Sequence, residues 1–433
     1  MSEAAATAVT KSSAPKPATA PALGGWGGWL AFAAALVLLP LVLRSGGALS
    51  MLSLMGVAVV FALSYNMLLG QTGMLSFGHA VYYGLGAYFA VHAINAIIAS
   101  RLPVPLLLIP LAGGIAGAFF AALFGWVSTK RSGTAFAMIS LGLAELVGSS
   151  SLILRTFFGG EEGVTTNRTK LIRLFDWNFG PQIQVYCLIA AWCFIAALAM
   201  YAVTRTPFGR MCNAVRDNPS RVQFVGYDPH VIQFLAFVLS GFFAGIAGSL
   251  SAINFEIANS AYFNASQSGN VLLATFVGGA GHFIGPVMGA VLVSWLQVML
   301  SDVTEVWQLY VGLIFIAVVL YAPGGLAGLL MMQRPVWRAG KLLAVLPSYA
   351  LALASALVPF AGAVALIEMV AHLSFKRSDG PAMSLFKVGF NADNPLAWAL
   401  ALAAVVAGVY LCRRTFAIAV AARERAIKPG ARA

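Results

Sequence analysis

Residues 271–300 read VLLATFVGGAGHFIGPVMGAVLVSWLQVML. The run carries no Asp, Glu, Lys or Arg, and it is too long for one ordinary membrane span of roughly 20 residues. Its middle, Gly278-Gly279-Ala280-Gly281-His282-Phe283-Ile284-Gly285-Pro286, interrupts it with glycines and a proline. The stretch therefore reads as two shorter segments, or as a re-entrant turn followed by a helix. Irregular backbone at membrane depth is tolerated only where protein or a water-filled cavity surrounds it. Such a run belongs to a polytopic membrane protein with broken helices.

The rest of the chain agrees. Of its 433 residues, 60% are apolar and 9% are charged; a soluble domain carries roughly 25% charge. Mean hydropathy is +0.86. These values exclude a soluble enzyme, a disordered chain and a coiled coil. The net charge of +12 does not imply a nucleic-acid partner, because the charges sit between apolar runs. Those runs lie near 26–43, 51–69, 76–99, 104–127, 135–154, 184–203, 231–254, 271–300, 308–330, 343–372 and 396–412. The expected fold is an all-α polytopic membrane protein with roughly 10–12 transmembrane segments. It comprises a flexible cytoplasmic tail at 1–24, a transmembrane core at 25–342, and an appended helical hairpin with a basic cytoplasmic tail at 343–433.

Charge placement orients the chain. With the N-terminal tail inside, the loops 128–134 (Lys130, Arg131), 204–230 (Arg205, Arg210, Arg216, Arg221) and 331–342 (Arg334, Arg338, Lys341) fall inside. So does the C-terminus, with Arg413, Arg414, Arg423, Arg425, Lys428 and Arg432. Most Lys and Arg residues are then cytoplasmic, as the positive-inside rule requires. The acidic loop 301–307 (Asp302, Glu305) is outside only if 271–300 crosses an even number of times, which supports the broken reading. The external 156–182 loop weakens the pattern with Arg168, Lys170 and Arg173. The four cysteines, Cys187, Cys193, Cys212 and Cys412, form no C-x-x-C pair and read as small packing residues.

Several features can carry function. In Asn66-Met67-Leu68-Leu69-Gly70-Gln71-Thr72-Gly73-Met74-Leu75-Ser76-Phe77-Gly78-His79-Ala80, polar groups and glycines interrupt an apolar stretch. Such a break can line a path for a polar solute; the plain alternative is a short cytoplasmic turn, with His79 a packing residue. The break at 278–286 repeats the Gly-His pair, as Gly281-His282, and paired interruptions in two halves point to a translocation path, although the likeness covers few residues. Glu145 lies in an apolar run with no nearby Lys or Arg; it faces a polar cavity or caps a discontinuous helix. Asn66, Gln71, Ser76, His79, Glu145 and His282 are the path candidates. Glu368 is similar to Glu145 but lies in the appended hairpin.

The 204–230 stretch is too long and too amphipathic for a simple connector. Met211, Ala214 and Val215 sit at helical spacing, with Arg210, Arg216 and Asp217 on the polar sides, and Gly226 can end such a helix. It suits either a docking knob for a soluble partner or a helix lying on lipid headgroups. Finally, Gly113/Gly117, Gly241/Gly245/Gly248 and Gly285/Gly289 are spaced for close helix approach, within the chain or at a dimer interface.

At these motifs the chain resembles the permeases of branched-chain amino-acid ABC importers, the LivM type in particular. The resemblance is carried by Leu69-Gly70-Gln71-Thr72-Gly73, Ser76-Phe77-Gly78-His79-Ala80 and Gly84-Leu85-Gly86-Ala87-Tyr88. It continues in Thr206-Pro207-Phe208-Gly209-Arg210, Ala214-Val215-Arg216-Asp217-Asn218, Ala244-Gly245-Ile246-Ala247-Gly248, Gly285-Pro286-Val287-Met288-Gly289-Ala290 and Tyr321-Ala322-Pro323-Gly324-Gly325-Leu326. It implies a bacterial inner-membrane location and pairing with a second, homologous permease. It further implies two cytoplasmic ATPase subunits docked on a coupling loop, with Gly209, Arg210, Ala214, Arg216, Asp217 and Gly226 as its residues, and a periplasmic solute-binding protein. ATP would be used by the partners, since this chain carries no G-x-x-x-x-G-K-[ST] loop; no catalytic residue, metal or cofactor is expected here. The appended hairpin departs from the common core, and His282-Phe283 stand where relatives often have small or hydroxyl residues. Urea-type permeases share much of the pattern, so a urea or short-amide permease is the alternative within the class. A stand-alone secondary transporter is the alternative outside it, with Glu145 as its main ion-site candidate.

Overall fold

The computed structural model describes residues 26–172, 177–322, 324–338, 340–375, 382–385, 388–391 and 393–427. The tail at 1–24 lies outside them, as do Arg173, Pro323, Pro381, Lys428 and Arg432. The helices are α1 Trp26–Val42, α2 Gly46–Thr72, α3 Ala80–Ser100, α4 Ile109–Ser128, α5 Thr134–Ile153, α6 Arg155–Phe158, α7 Gln182–Arg205, α8 Pro207–Asp217, α9 Pro219–Phe224 and α10 Pro229–Phe255. They continue with α11 Ala265–Gly278, α12 Ile284–Ser301, α13 Trp307–Tyr321, α14 Gly325–Arg338, α15 Leu342–Phe375 and α16 Pro395–Ile427. Two short antiparallel pairs complete the fold: β1 Val164–Thr165 with β2 Ile257–Ala258, and β3 Ala382–Leu385 with β4 Val388–Asn391.

Among the described residues, nine helices are long and apolar enough to cross a membrane, or ten if the bent pair α13–α14 is one span. Ten is the lower bound of the expected number and nine lies one below it. The run at 26–43 forms a helix of only 17 residues containing Pro40, and α11 has 14. The chain divides into two compact units between Ser268 and Gly269, so residues 269–342 group with the hairpin rather than with the preceding helices.

The first unit is built around α10, which packs against α2, α3 and α4. Small residues explain the closeness. A Cβ on Gly245 would meet the Gly113 backbone, one on Gly86 the Gly245 backbone, one on Gly117 the Gly241 carbonyl, and one on Gly248 the Tyr83 carbonyl. These glycines therefore serve packing within the chain, where backbone-to-backbone contact replaces the hydrophobic drive that lipid cannot supply. Aromatic rings fill the level beside them, with Tyr82 and Phe136 each edge-on to Phe237.

In the second unit the run at 271–300 breaks as its sequence requires, into α11 and α12. The break is closed by glycine backbone: a Cβ on Gly278 would meet the Gly285 carbonyl, and one on Gly289 the Ala274 carbonyl. The run at 308–330, expected as one span, is also broken: α13 and α14 meet at 43°. The reason lies in Gly279 and Gly325, both at positive φ (104° and 62°). A Cβ on Gly279 would meet the Gly324 carbonyl and one on Gly325 the Gly279 backbone, so the two breaks sit against one another. The hairpin helices α15 and α16 pack along their length, with Gly408 against Pro359 and a buried Ser355–Thr415 hydroxyl pair at 2.5 Å. Glu368 is held by the Tyr310 hydroxyl at 2.8 Å. The α16 helix runs on to Ile427, well past the expected span end at 412. Its last turns are rich in Ala, Arg and Glu, all strong helix formers, and Ala426 packs with Val336 and Val345. At 33 residues it is about 50 Å long, against a hydrocarbon core of about 30 Å.

Candidate functional site

Three cap–proline pairs shape the 204–230 stretch. Thr206, Asn218 and Asp228 each accept a backbone N–H with their side chains, and Pro207, Pro219 and Pro229 follow at the first helical position. That combination starts helices. The stretch is therefore two short helices, α8 and α9, rather than one, with Asn218-Pro219 ending the first and Gly226 (φ 92°) following the second. The buried face of α8 consists of Gly209, Cys212 and Val215; Cys212 and Val215 cluster with Val222, Ile232 and Ala236 at the start of α10, and Gly209 lies against the Val203 carbonyl at the end of α7. Burial pushes the Cys212 thiol up to about 12. Met211 and Ala214 are half-buried against this cluster. Arg210, Arg216, Asp217 and Arg221 are exposed, and beside them Phe224 is 91% exposed and Val225 68%. A basic surface with unburied apolar side chains thus stands outside the membrane helices.

This platform grips the end of α2. Asn213 Nδ2 donates to Gln71 Oε1 at 3.0 Å, and the Arg216 guanidinium donates to the Gly70 carbonyl and to Asp217 Oδ1. Gln71 belongs to this grip, half-buried at the α8 junction. Gly73 then closes α2 in the left-handed region (φ 73°), its N–H bonded to Leu68 and Leu69 carbonyls, with the Arg216 side chain across it.

From Met74 the chain turns back along α2. Tyr65 Oη donates to the Ser76 carbonyl at 3.0 Å, and His79 Nε2 lies 3.1 Å from Ser64 Oγ and 3.5 Å from Ser240 Oγ. Ser64 precedes Thr72 by about two turns, so α3 starts about 12 Å below the end of α2. The connection therefore folds back beside α2 and is not an exposed turn. It is enclosed: Asn66, Ser76 and His79 are all buried. The His79 ring stacks on Phe61 and stands edge-on to Tyr65 and Tyr82. Asn66 Oδ1, Ser76 Oγ and His79 Nδ1 have no hydrogen-bond partner among the described residues.

Glu145 lies near the middle of α5 and is exposed, on a stripe with Met138, Gly142 and Ser149. A carboxylate facing lipid at that depth costs about 2.5 kcal/mol or more. This stripe is therefore suited to water or another protein, not to acyl chains. His282 is half-buried in the α11–α12 turn, with Nδ1 unpaired among the described residues.

Arg168, which disturbed the charge pattern, is not a free loop charge. It is 9% exposed; Nη1 donates to the Ile253 and Asn254 carbonyls (2.9 Å each) and Nε to the Phe179 carbonyl (2.8 Å). Its backbone N–H donates to Glu256 Oε1. The cation closes the C-terminus of α10, where the helix dipole favours positive charge. Sequence reasoning missed Asn213, Ser64, Ser140, Ser240 and Ser268, which hold the break. Isolated hydroxyls in apolar runs give no signal of which partner they will meet.

The family model for the branched-chain amino acid transport system permease component matches residues 47–323. The chain belongs to this family. The match takes in both breaks, α8 and α9, and stops before the hairpin. The chain is 25% identical over 315 residues (67% of this chain, 72% of the relative) to the high-affinity branched-chain amino acid transport system permease protein LivM of Escherichia coli K12. It is 26% identical over 284 residues to LivH of the same organism, covering 62% of this chain and 90% of LivH. It is 22% identical over 288 residues to BraD of Pseudomonas aeruginosa, with 62% and 91% covered. No solved structure matches. The protein is a multi-pass membrane permease subunit of an ABC transporter, one component of a larger complex and not an enzyme.

Proposed function

We propose that this permease forms the translocation path for a branched-chain or other hydrophobic amino acid in the bacterial inner membrane. A second, homologous permease completes the path. Two ATPase subunits hydrolyse ATP on the cytoplasmic side, and a periplasmic binding protein delivers the solute. Both termini are cytoplasmic, the orientation that puts Lys130, Arg131, Arg205, Arg210, Arg216 and Arg221 inside. The observation that carries the reading is the α8–α9 platform. It presents Arg210, Arg216, Asp217, Arg221 and the exposed Phe224 beyond the spans, seated on α10 by Cys212 and Val215 with Ala214 packed against them. That is a surface built for a soluble partner. Glu145, on the exposed stripe of α5, is the path-lining candidate of the first unit, and His282, in the α11–α12 turn, that of the second. Asn66, Ser76 and His79 form a buried polar seam behind the path, and Gln71 joins that seam to α8.

The experiment is a gentle detergent pull-down of the tagged chain with partners identified by mass spectrometry, followed by uptake in proteoliposomes. Recovery of ATPase subunits and a second permease, with leucine or valine taken up in the presence of the binding protein, is the expected result. Urea uptake in place of amino-acid uptake would replace the substrate. Recovery of the chain alone under several mild detergents would favour a stand-alone transporter.

A further inference from the structure

We infer that the connection Met74–His79 is the joint through which movement of α8 reaches the path-lining helix α5, with Asn213, Arg216, Ser140 and Ser268 as its positioning residues. The inference rests on the reading of α8–α9 as the ATPase-docking surface. At one end the joint is tied to α8: Asn213 holds Gln71, and Arg216 holds the Gly70 carbonyl and lies across Gly73. The buried face of α8 is itself locked onto α10 through Cys212, Val215 and Ile232. A force on α8 therefore reaches the last turn of α2 directly.

At the other end the joint is held by side-chain hydroxyls. Phe77 N–H donates to Ser140 Oγ of α5, and Ala80 N–H donates to Ser268 Oγ, in the first turns of α11, each at 3.0 Å. Gly78 lies so close to α5 that a Cβ there would strike the Ser140 carbonyl. Ser140 precedes Glu145 by about a turn and a half of the same helix. The joint thus connects the docking platform to the helix that carries the exposed carboxylate.

Regular helix hydrogen bonds do not hold the segment between these anchors. Three polar atoms beside it, Asn66 Oδ1, Ser76 Oγ and His79 Nδ1, are buried without partners among the described residues. Buried polar groups are nearly always paired. Coupling between distant sites needs an element with two arrangements, and an irregular segment held by two side-chain hydroxyls rather than by a helical ladder can supply one.

The test uses the reconstituted transporter with its ATPases and binding protein. In the Ser140→Ala/Ser268→Ala variant, ATPase subunits are expected to co-purify at the wild-type ratio and hydrolyse ATP within twofold of wild type. Uptake is expected to fall at least tenfold, and Ser140→Thr/Ser268→Thr, which keeps both hydroxyls, to recover most of it. Uptake within twofold of wild type, or loss of the ATPases, overturns the joint. Docking is tested separately with Arg221→Glu/Phe224→Ser on the exposed face. If that variant keeps its ATPases, the docking reading fails; if it loses them while the serine variant transports normally, only the joint fails. A second measurement does not depend on the serine variants folding. Gln71→Cys/Asn213→Cys, with Cys187 and Cys412 replaced by Ala, is bridged in the assembled complex by a short bis-methanethiosulfonate, which joins the two thiols through reducible disulfides. Uptake at or above the unbridged level is expected, because α8 and the end of α2 move together. Uptake stopped by the bridge and restored by reductant means that α8 slides along α2, which overturns the inference.

Discussion

Gly245 is the sharpest place to test the packing of the first unit. Replacing it with Ala adds one methyl group, and that methyl meets backbone on every side: the Gly113 carbonyl and the Gly117 Cα, with no rotatable side chain among its nearest neighbours. The α4 and α10 helices must therefore separate. Forcing an extra methyl(ene) into a tight core costs about 1–3 kcal/mol, and a contact with fixed backbone belongs at the upper end. Against this, Ala is favoured over Gly inside a helix by about 1 kcal/mol. The net loss is about 2 kcal/mol, or about 4–8 °C in Tm by the scaling for soluble domains of 150–250 residues. Gly142→Ala is the control, because nothing lies within 4 Å of a Cβ there; helix propensity alone should leave its Tm unchanged or slightly raised. The assay is thermal unfolding of the purified chain in mild detergent, followed by size-exclusion fluorescence. A Gly245→Ala protein as stable as wild type, or a Gly142→Ala protein equally destabilised, would refute the reasoning. Gly245→Val should fail to yield a monodisperse protein.

Arg168→Met should destabilise the chain by about 3 kcal/mol, since it strips charge-assisted donors from the Phe179, Ile253 and Asn254 carbonyls; earlier proteolysis between Glu161 and Lys170 is the readout, and wild-type resistance would count against a structural role. Cys212 should resist maleimide at pH 8, because its buried thiol stays protonated there, and should label only after unfolding; rapid labelling of the native protein would mean that α8 is not seated on α10. Tyr310→Phe, which removes the donor to Glu368, should lower Tm by a few degrees, and Glu368→Gln, which keeps an acceptor, should lower it less.

Much of the architecture is determined by the linear sequence. Apolar runs separated by Arg and Lys determine the spans, because hydrocarbon admits only internally bonded backbone. The glycines and proline of 278–286 place the α11–α12 break for the same reason, since no side-chain packing is needed to know that this run cannot be one helix. Thr206-Pro207, Asn218-Pro219 and Asp228-Pro229 likewise specify three helix starts through local caps alone. Tertiary structure decided the rest. It decided that Gln71 meets Asn213 across the chain, that His79 is sealed among Phe61, Tyr65 and Tyr82 while Glu145 is open, and that Arg168 closes α10. It also decided that the α11–α12 break is matched by a second one at Gly324-Gly325, where the Gly324 carbonyl fills the space a Cβ on Gly279 would need and the Gly279 backbone the space one on Gly325 would need. These outcomes depend on which helices become neighbours and at what depth a side chain lies, and a linear pattern of hydropathy carries neither distance.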